Sequence, residues 1–268
     1  MSFSRKFRKL VIKVVIKAKR VKDFALHRDP IDSIVSEVRK GLPEPALENR
    51  VVVITGSTQG IGFVLAEAFL QKGARVVING RRADVLQAAA IRLGNAERVL
   101  AVCADVSTAP GAQALLEQSV ARFGSVDLLI NNAAIMGPKD CRAWEISAEQ
   151  WADTLTANLS GPFLCATAFM RWMVGAGVSG RIINVSSGAA NAPIKGLLPY
   201  AVSKAALESL VTIYGLETSA ISAIRTHIIN PGATRTAMRE RAFPGEDPAT
   251  VKPPEDVAAM IVAALQRD

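Results

Sequence analysis

Residues 51–62 read VVVITGSTQGIG and decide the fold. The run VVVIT (51–55) is β-branched without polar alternation, which is typical of a strand buried on both faces. The glycine-rich turn after it leads into an apolar helical pattern from Gly60 to Lys72. Such a turn lets the backbone approach a phosphate, and the N-terminus of the helix favours an anion. The stretch therefore predicts a dinucleotide site at the first strand–helix junction of a parallel sheet.

The same alternation continues to the end of the chain. Five more apolar runs, each a predicted strand, stand at 75–79, 99–103, 127–131, 181–185 and 226–230. Helical patterns separate them at 83–93, 109–123, 148–174 and 200–219, and a last helix starts at Pro254. Continuous apolar strands alternating with helices predict an α/β fold, a doubly wound parallel sheet of the Rossmann type with about six strands. We expect residues 50–268 to form this single domain.

The charge of the chain is unevenly distributed. The 268 residues are 50% apolar and have a formal net charge of +8. Residues 1–22 hold nine basic residues and no acidic ones, which leaves 23 basic and 24 acidic residues, a net charge of −1, for the other 246. The apolar content excludes a disordered chain, and the near-neutral body argues against a nucleic-acid partner. Three scattered cysteines and two histidines predict neither a disulfide framework nor a metal site.

Residues 1–49 are predicted to be a basic amphipathic extension and a linker. Apolar residues recur at spacings of three and four within 5–26, opposite a basic stripe, and prolines and glycine break residues 41–50. No apolar run reaches the ~18 residues that span a bilayer. Three interpretations stay open: a helix on an anionic membrane surface, which the stripe favours; docking on a protein; and mitochondrial targeting, which the lysine excess disfavours. We expect a cytoplasmic protein that this helix brings to the membrane surface.

The end of the second predicted strand indicates which dinucleotide binds. The run Asn79-Gly80-Arg81-Arg82 lacks the carboxylate that an NAD site usually places there for the ribose 2′-hydroxyl. A carboxylate would repel a 2′-phosphate, whereas arginine offers it forked donors. We therefore expect NADP(H), held by Arg81 and Arg82. The alternative is that both arginines are solvated residues at the start of a helix.

Two other strand ends are predicted to line the same site. Asp105-Val106 follows the third strand, where the adenine should lie, although Asp105 is equally well explained as a helix cap or turn residue. Asn131-Asn132-Ala133-Ala134 ends the fourth strand, and small residues there let the backbone pass close to a cofactor.

Ser187, Tyr200 and Lys204 are the predicted reactive cluster. Tyr200 and Lys204 lie four apart at the start of a helix and share a face, and Ser187 follows the fifth strand, at the ligand-binding edge of such sheets. A nearby ammonium favours the phenolate, so Tyr200 can exchange a proton near neutral pH. Lowering a phenol pKa from ~10 by about three units takes ~4 kcal/mol of differential stabilisation.

The sequence resembles the short-chain dehydrogenase/reductase family over residues 50–268. The motifs that carry the resemblance occur in the family's order: TGSTQGIG (55–62), NNAA (131–134), Asn158 in ANLSG, NVSS (184–187), YAVSK (200–204) and NPGATRT (230–236). The resemblance implies hydride transfer between NADP(H) and a small carbonyl or secondary alcohol. It makes Tyr200 the general acid in reduction and the base in oxidation.

The resemblance also assigns roles to other residues. Ser187, 13 residues before Tyr200, would bind the substrate oxygen, and Lys204 would hold the nicotinamide ribose. Asn158 would kink its helix and hold a water in a proton relay. Together with the turn and strand ends above, the residues predicted to bind the cofactor are Gly56, Ser57, Thr58, Gln59, Gly60, Ile61, Gly62, Arg81, Arg82, Asp105, Val106, Asn132, Ala133, Ala134, Tyr200, Lys204, Pro231, Gly232 and Thr236.

The sequence departs from the family's pattern in two places. Ala134 stands where the family more often has glycine, and the chain ends at Asp268, where many members continue into a seventh strand that builds a tetramer interface. We expect six strands and a homodimer through the helices at 148–174 and 200–219, with a tetramer as the alternative. Residues 233–253 are expected to form a mobile lid over the substrate. The substrate stays open: the alternatives to a general carbonyl reductase or alcohol dehydrogenase are a 3-oxoacyl thioester reductase and a non-catalytic sensor or scaffold.

Overall fold

The computed structural model describes residues 47–218 and 223–266. The strands are β1 Val51–Ile54, β2 Arg75–Gly80, β3 Val99–Cys103, β4 Leu128–Asn131, β5 Gly180–Val185 and β6 Ile224–Ile229. The α-helices are α1 Gly60–Gln71, α2 Ala83–Leu93, α3 Ala109–Phe123, α4 Ala148–Leu155, α5 Gly161–Ala176, α6 Leu198–Thr218, α7 Ala237–Ala242 and α8 Pro254–Gln266. The predicted helix at 5–26 and most of the predicted linker lie outside the described residues.

Within these residues the sheet has six strands in the order β3-β2-β1-β4-β5-β6, and every neighbouring pair is parallel. The prediction of a doubly wound, Rossmann-type sheet is confirmed. Val52 in β1 pairs with Val76 on one side and with Leu128 on the other, so the strand order reverses beside β1. Ligands of such sheets bind in the crevice at this reversal, outside the carboxyl ends of the strands.

Helices cover both faces of the sheet, which explains the continuous apolar strands. In β1, Val52 and Ile54 belong to the core cluster that contains Phe69 of α1, whereas Val51 and Val53 belong to the cluster on the other face, with Phe169 of α5. Successive side chains of a strand point to opposite faces. Burying each of these side chains contributes about 2 kcal/mol.

The region predicted as one helix at 148–174 is divided. Helix α4 ends at Leu155, a π-helical turn spans Thr156–Ser160, and α5 continues from Gly161, whose N–H donates to the Thr156 carbonyl. A π-helical turn has one more residue than an α-turn and is frequent at functional sites. Apolar periodicity does not show such a turn, because the side chains on either side still follow a helical pattern.

The segment between β6 and α8, which is the predicted lid, contains α7 and is held together by contacts within the segment. Thr234 forms a β-bridge with Lys252, which joins the two ends of the segment. Inside it, the Arg239 guanidinium donates two hydrogen bonds to the Glu246 carboxylate, at 2.7 and 2.5 Å, and lies over the Phe243 ring. Within residues 47–218 and 223–266, none of the helices combines the length and the hydropathy of a membrane-spanning segment.

Candidate active site

The glycine-rich turn after β1 is shaped by close backbone approaches. Gly56 has φ +61°, and a Cβ there would lie 2.7 Å from the Ala133 Cα. A Cβ on Gly62 would lie 2.5 Å from Asn132 Nδ2 and 2.7 Å from the Gly56 carbonyl oxygen. The Asn132 amide donates to the carbonyl oxygens of Thr55 and Gly56 at 3.0 and 2.9 Å. The Asn132 side chain therefore holds the turn.

Ser57 also acts within the turn. Its buried hydroxyl donates to the Ile54 carbonyl at 2.7 Å and accepts from the Asn79 N–H at 2.9 Å. Asn79 is buried as well, and its amide donates to the carbonyls of Val102 and Ala104, both at 3.0 Å. These bonds join the ends of β1, β2 and β3, so the turn is anchored to the sheet before any ligand binds.

Helix α1 begins beside the turn with an uncapped N-terminus. Among the described residues, Gln59 at the N-cap makes no side-chain capping bond, and the first turn has no acidic residue. Gly60 and Ile61 of that turn line a cleft of about 330 Å³ along the carboxyl edge of the sheet. Free N–H groups and the positive end of a helix dipole form a site for an anion such as a pyrophosphate.

The cleft joins most of the residues predicted to bind the cofactor. Those that line it are Gly56, Thr58, Gln59, Gly60, Ile61, Arg81, Asp105, Val106, Asn132, Ala133, Ala134, Tyr200, Lys204, Pro231 and Thr236. Of the other predicted site residues, Ser57, Gly62, Arg82, Asn158, Ser187 and Gly232 are outside this lining.

The two arginines after β2 have different partners. Arg81 lines the cleft, and its guanidinium lies 3.9 Å from the Asp105 carboxylate, with both side chains largely exposed. Arg82 is the N-cap residue of α2 and pairs with Asp84 of that helix, donating to both carboxylate oxygens at 3.4 and 2.7 Å. Arg81 is therefore the arginine available to an anion in the cleft.

Asp105 forms a turn and also lines the cleft. Its Oδ1 accepts from the Ser107 hydroxyl at 2.7 Å and from the Ser107 N–H at 3.0 Å. These bonds, with help from the charge of Arg81, hold the pKa of the Asp105 carboxyl below its usual value. Asp105 is thus a turn residue in the structure. Its carboxylate stays ionised at neutral pH and lies in the wall of the cleft.

Lys204 reaches the inner end of the cleft from the second turn of α6. It is only 3% exposed, and its ammonium donates to the Val185 carbonyl at the end of β5, at 2.8 Å. Burial lowers the pKa of Lys204 to about 8. One of its three N–H donors is used by Val185, which leaves two for a ligand.

Tyr200 lies one helical turn before Lys204, whose Nζ is 5.9 Å from the centre of the phenol ring. Burial raises the pKa of Tyr200, and a hydrogen bond with Ser187 opposes that effect. The lowering expected from a nearby ammonium is therefore not found in the protein alone, because burial of the phenol has the larger effect and only the bond with Ser187 opposes it. Ser187 is the serine that contacts Tyr200, whereas Ser186 donates its hydroxyl to Glu208 at 2.8 Å.

Asn158 lies in the π-helical turn and is fully buried. Its Oδ1 accepts from the Ile135 N–H and its Nδ2 donates to the Ile135 carbonyl, both at 2.8 Å. Nδ2 also donates to the Ser203 hydroxyl at 3.1 Å. The side chain thus joins the loop after β4 to the helix that carries Tyr200 and Lys204.

Sequence reasoning missed several residues that line the cleft. They are Asn79, Gly80, Ser107, Ile135, Ala157, Val185, Ser186, Ala237 and Met238. Most are chain neighbours of predicted residues, so widening each motif by one or two positions would have found them. Ala157 reaches the cleft from the π-helical turn, which the apolar pattern did not show and to which only the kink expected at Asn158 pointed.

Comparisons with known proteins point in one direction. A family model described as short chain dehydrogenase matches residues 50–247. The chain is 34% identical over 193 residues to human dehydrogenase/reductase SDR family member 4, covering 72% of this chain and 68% of the relative. It is 32% identical over 202 residues to an NADP-dependent (R)-specific alcohol dehydrogenase of Lentilactobacillus kefiri, covering 72% and 76%. A match at 35% identity to the Bacillus subtilis oxidoreductase YvrD spans 61% of that relative.

Solved structures resemble the described fold closely. A 3-ketoacyl-(acyl-carrier-protein) reductase from Brucella melitensis complexed with NADH is 28% identical, with a TM-score of 0.73 over 81% of this chain and 90% of that one. A short-chain dehydrogenase from Shigella flexneri complexed with NADP is 27% identical, with a TM-score of 0.74 over 83% and 93%.

Proposed function

The chain belongs to the short-chain dehydrogenase family of oxidoreductases, and on that premise we propose that it transfers a hydride between NADP(H) and a carbonyl or secondary alcohol. One observation carries the proposal: Tyr200 and the buried Lys204 line the inner end of the cleft that begins at the glycine-rich turn. The cleft can hold a dinucleotide at one end and place its reacting ring beside a proton donor at the other.

The residues present fit a dinucleotide. Gly56 and Gly62 let the turn pack directly against Ala133 and Asn132, and the uncapped amides of Gly60 and Ile61 suit the pyrophosphate. Arg81 would meet the 2′-phosphate, and the two unused donors of Lys204 would hold the nicotinamide ribose. When bound, the cofactor supplies or accepts the hydride; the protein supplies position and the proton.

The proposed preference for NADP(H) rests on Arg81. The relative from Lentilactobacillus kefiri is NADP-dependent, whereas the similar Brucella melitensis structure holds NADH, so family membership leaves the preference to local residues. In this chain the cleft wall after β2 offers a guanidinium to the 2′-position. Asp105 is the nearest carboxylate to it, at 3.9 Å, and a 2′-phosphate would compete with that carboxylate for Arg81.

Tyr200 would donate the proton in reduction and accept it in oxidation. Because burial raises the pKa of Tyr200, its resting form at neutral pH is the phenol, which can donate to the oxygen of a substrate being reduced. The Ser187 hydroxyl would donate a hydrogen bond to the same oxygen as negative charge develops on it. Acting as a base in oxidation, Tyr200 needs positive charge beside it, which Lys204 supplies while it is protonated. The protonation state of Tyr200 at neutral pH is therefore the one that reduction of a carbonyl requires.

A 3-oxoacyl thioester is a second candidate substrate. The observation that favours it is the similarity to the Brucella melitensis reductase, whose substrate is a 3-ketoacyl chain on a carrier protein. In this chain Met238, on the first turn of α7, lines the cleft and offers an apolar contact to an acyl group. A sensor or scaffold that binds the cofactor without turnover is the remaining alternative.

We further propose a homodimer that forms through α5 and α6. Large apolar side chains are exposed on these helices: Phe163 is 42% exposed, Val174 55% and Ile213 52%. Covering them would remove apolar area from water. Light scattering on the purified chain is expected to give the mass of a dimer, and a stable tetramer would contradict this proposal.

A substrate screen tests the proposed function. Ketones, aldehydes and acyl thioesters are offered with NADPH, and its oxidation is followed by absorbance. We expect turnover with at least one class, faster with NADPH than with NADH. Tight NADPH binding without oxidation by any compound would instead support the sensor role, and a preference of tenfold or more for NADH would contradict the role given to Arg81.

A further inference from the structure

Helix α6 contacts three consecutive residues that leave the end of β5. Lys204 donates to the Val185 carbonyl at 2.8 Å, and the phenol of Tyr200 lies close enough to the Ser187 side chain for that serine to lower the pKa of Tyr200. The residue between these two is Ser186, whose hydroxyl donates at 2.8 Å to Glu208 Oε1, one turn further along α6. Side chains four apart share a helix face. The tyrosine, the lysine and the glutamate thus form one stripe against the strand end.

Glu208 also binds the far side of the same segment. The Asn191 amide donates to both oxygens of the carboxylate, at 3.3 and 3.1 Å. Between Ser186 and Asn191 the chain forms a single 3₁₀ turn, Gly188–Ala190, which Ser187 caps by accepting from the Ala189 N–H at 3.3 Å. One carboxylate therefore binds both ends of the short segment that carries Ser187.

We propose that Glu208 is a positioning residue that fixes the hydroxyl of Ser187 against Tyr200. The inference rests on the proposed function, because the distance it maintains matters for a reaction at Tyr200. Ser186 is 2% exposed, so its hydroxyl has little access to water as a substitute partner if the carboxylate is removed. The strand end would then shift, and Ser187 would move with it.

Glu208→Ala is the test variant, and Glu217→Ala is its matched control. Glu217 is an exposed glutamate on the same helix, so its substitution makes the same change of charge away from the segment. We expect Glu208→Ala to lower kcat by about ten- to a hundredfold, the cost of a small misplacement of a reacting group. The Kd for NADPH should stay within about twofold, because the cleft contacts are made by other residues. Glu208→Gln should keep most of the activity, since its amide oxygen still accepts from Ser186.

A double-mutant cycle shows whether Glu208 acts through Ser187. When Ser187→Ala is already present, Glu208→Ala should cause little further loss of kcat, because the group it positions is gone. If the two effects multiply, or if Glu208→Ala behaves like the control, the inference is wrong. Ser186→Ala removes the same contact from the other side and serves where Glu208→Ala does not fold; an unchanged kcat in that variant also overturns the inference.

Hydrogen exchange separates this inference from the proposed function. Amides of residues 189–192 are expected to exchange faster in Glu208→Ala than in Glu217→Ala, whether or not any substrate turns over. An inactive wild-type protein that shows this difference would contradict the proposed function and leave the positioning role standing. An active protein without the difference would contradict the positioning role alone.

Discussion

The burial of Lys204 predicts how stability depends on pH. Burial lowers the pKa of its ammonium from the usual 10.5 to about 8. Below pH 8 the folded state must bury a charge, which costs about 3 kcal/mol relative to the unfolded chain. Because the unfolded chain binds this proton more tightly, the cost falls as the pH rises from 8 to 10.5. Lys204→Met carries no such cost at any pH.

The measurement is a difference between two proteins. The free energy of unfolding is obtained by urea titration for the wild type and for Lys204→Met, both without cofactor, at pH 7 and pH 10. From pH 7 to pH 10 the free energy of unfolding of the wild type should rise by roughly 2 to 3 kcal/mol relative to that of Lys204→Met. The other titrating groups are the same in both proteins, so their contributions cancel in the difference. Lys72→Met, at an exposed lysine that directly follows α1, is the control, since the side chain of Lys72 is not buried on folding. A difference in free energy of unfolding between the two proteins that is the same at pH 7 and pH 10 would refute the buried-ammonium argument.

Three other predictions concern the cofactor site and the N-terminal segment. Arg81→Ala should weaken NADPH binding by about ten- to a hundredfold and leave NADH unchanged, whereas Arg82→Ala, which loses only a pair with its own helix, should leave both unchanged; equal effects in calorimetry would contradict this. Gly62→Ala should abolish dinucleotide binding because its Cβ would lie 2.5 Å from a side-chain nitrogen that holds the turn, while Gly175→Ala, with nothing within 4 Å, should bind normally. Deleting residues 1–40 should abolish sedimentation with anionic vesicles, and unchanged sedimentation would remove the membrane interpretation.

The fold was predictable because each strand is visible in the sequence as a short run of apolar residues. Strands buried on both faces must be apolar at every position, so β1 and its neighbours appear in the sequence as short continuous runs. Where the runs end, glycine and asparagine mark the chain's exit toward the cleft, as at Gly56 and Asn132. The apolar pattern did not show the π-helical turn at Thr156–Ser160, because the turn changes a backbone hydrogen-bond register and leaves that pattern intact; only the family resemblance, which implies a kink at Asn158, indicated an irregularity there.

The sequence predicts which residues form the site better than it predicts which partner each side chain binds. Residue type and spacing indicate Tyr200 and Lys204, since residues four apart on a helix share one face. They do not show that the Asn132 amide donates to the backbone of the glycine-rich turn, or that Arg82 pairs with Asp84 of its own helix. Those assignments depend on which polar partner lies nearest after folding. The contact of Glu208 joins residues 22 apart and needed the structure for the same reason.

The most direct test of the account is the turnover of Tyr200→Phe, which removes one hydroxyl. NADPH oxidation with the best carbonyl substrate should fall by about a thousandfold, while the Kd for NADPH stays unchanged, since the proton donor is lost and the cleft is kept. Tyr214→Phe, at the other tyrosine of α6, whose hydroxyl lies 3.4 Å from that of Thr167, should retain activity. Turnover of Tyr200→Phe within tenfold of the wild type would contradict the central claim that Tyr200 transfers the proton.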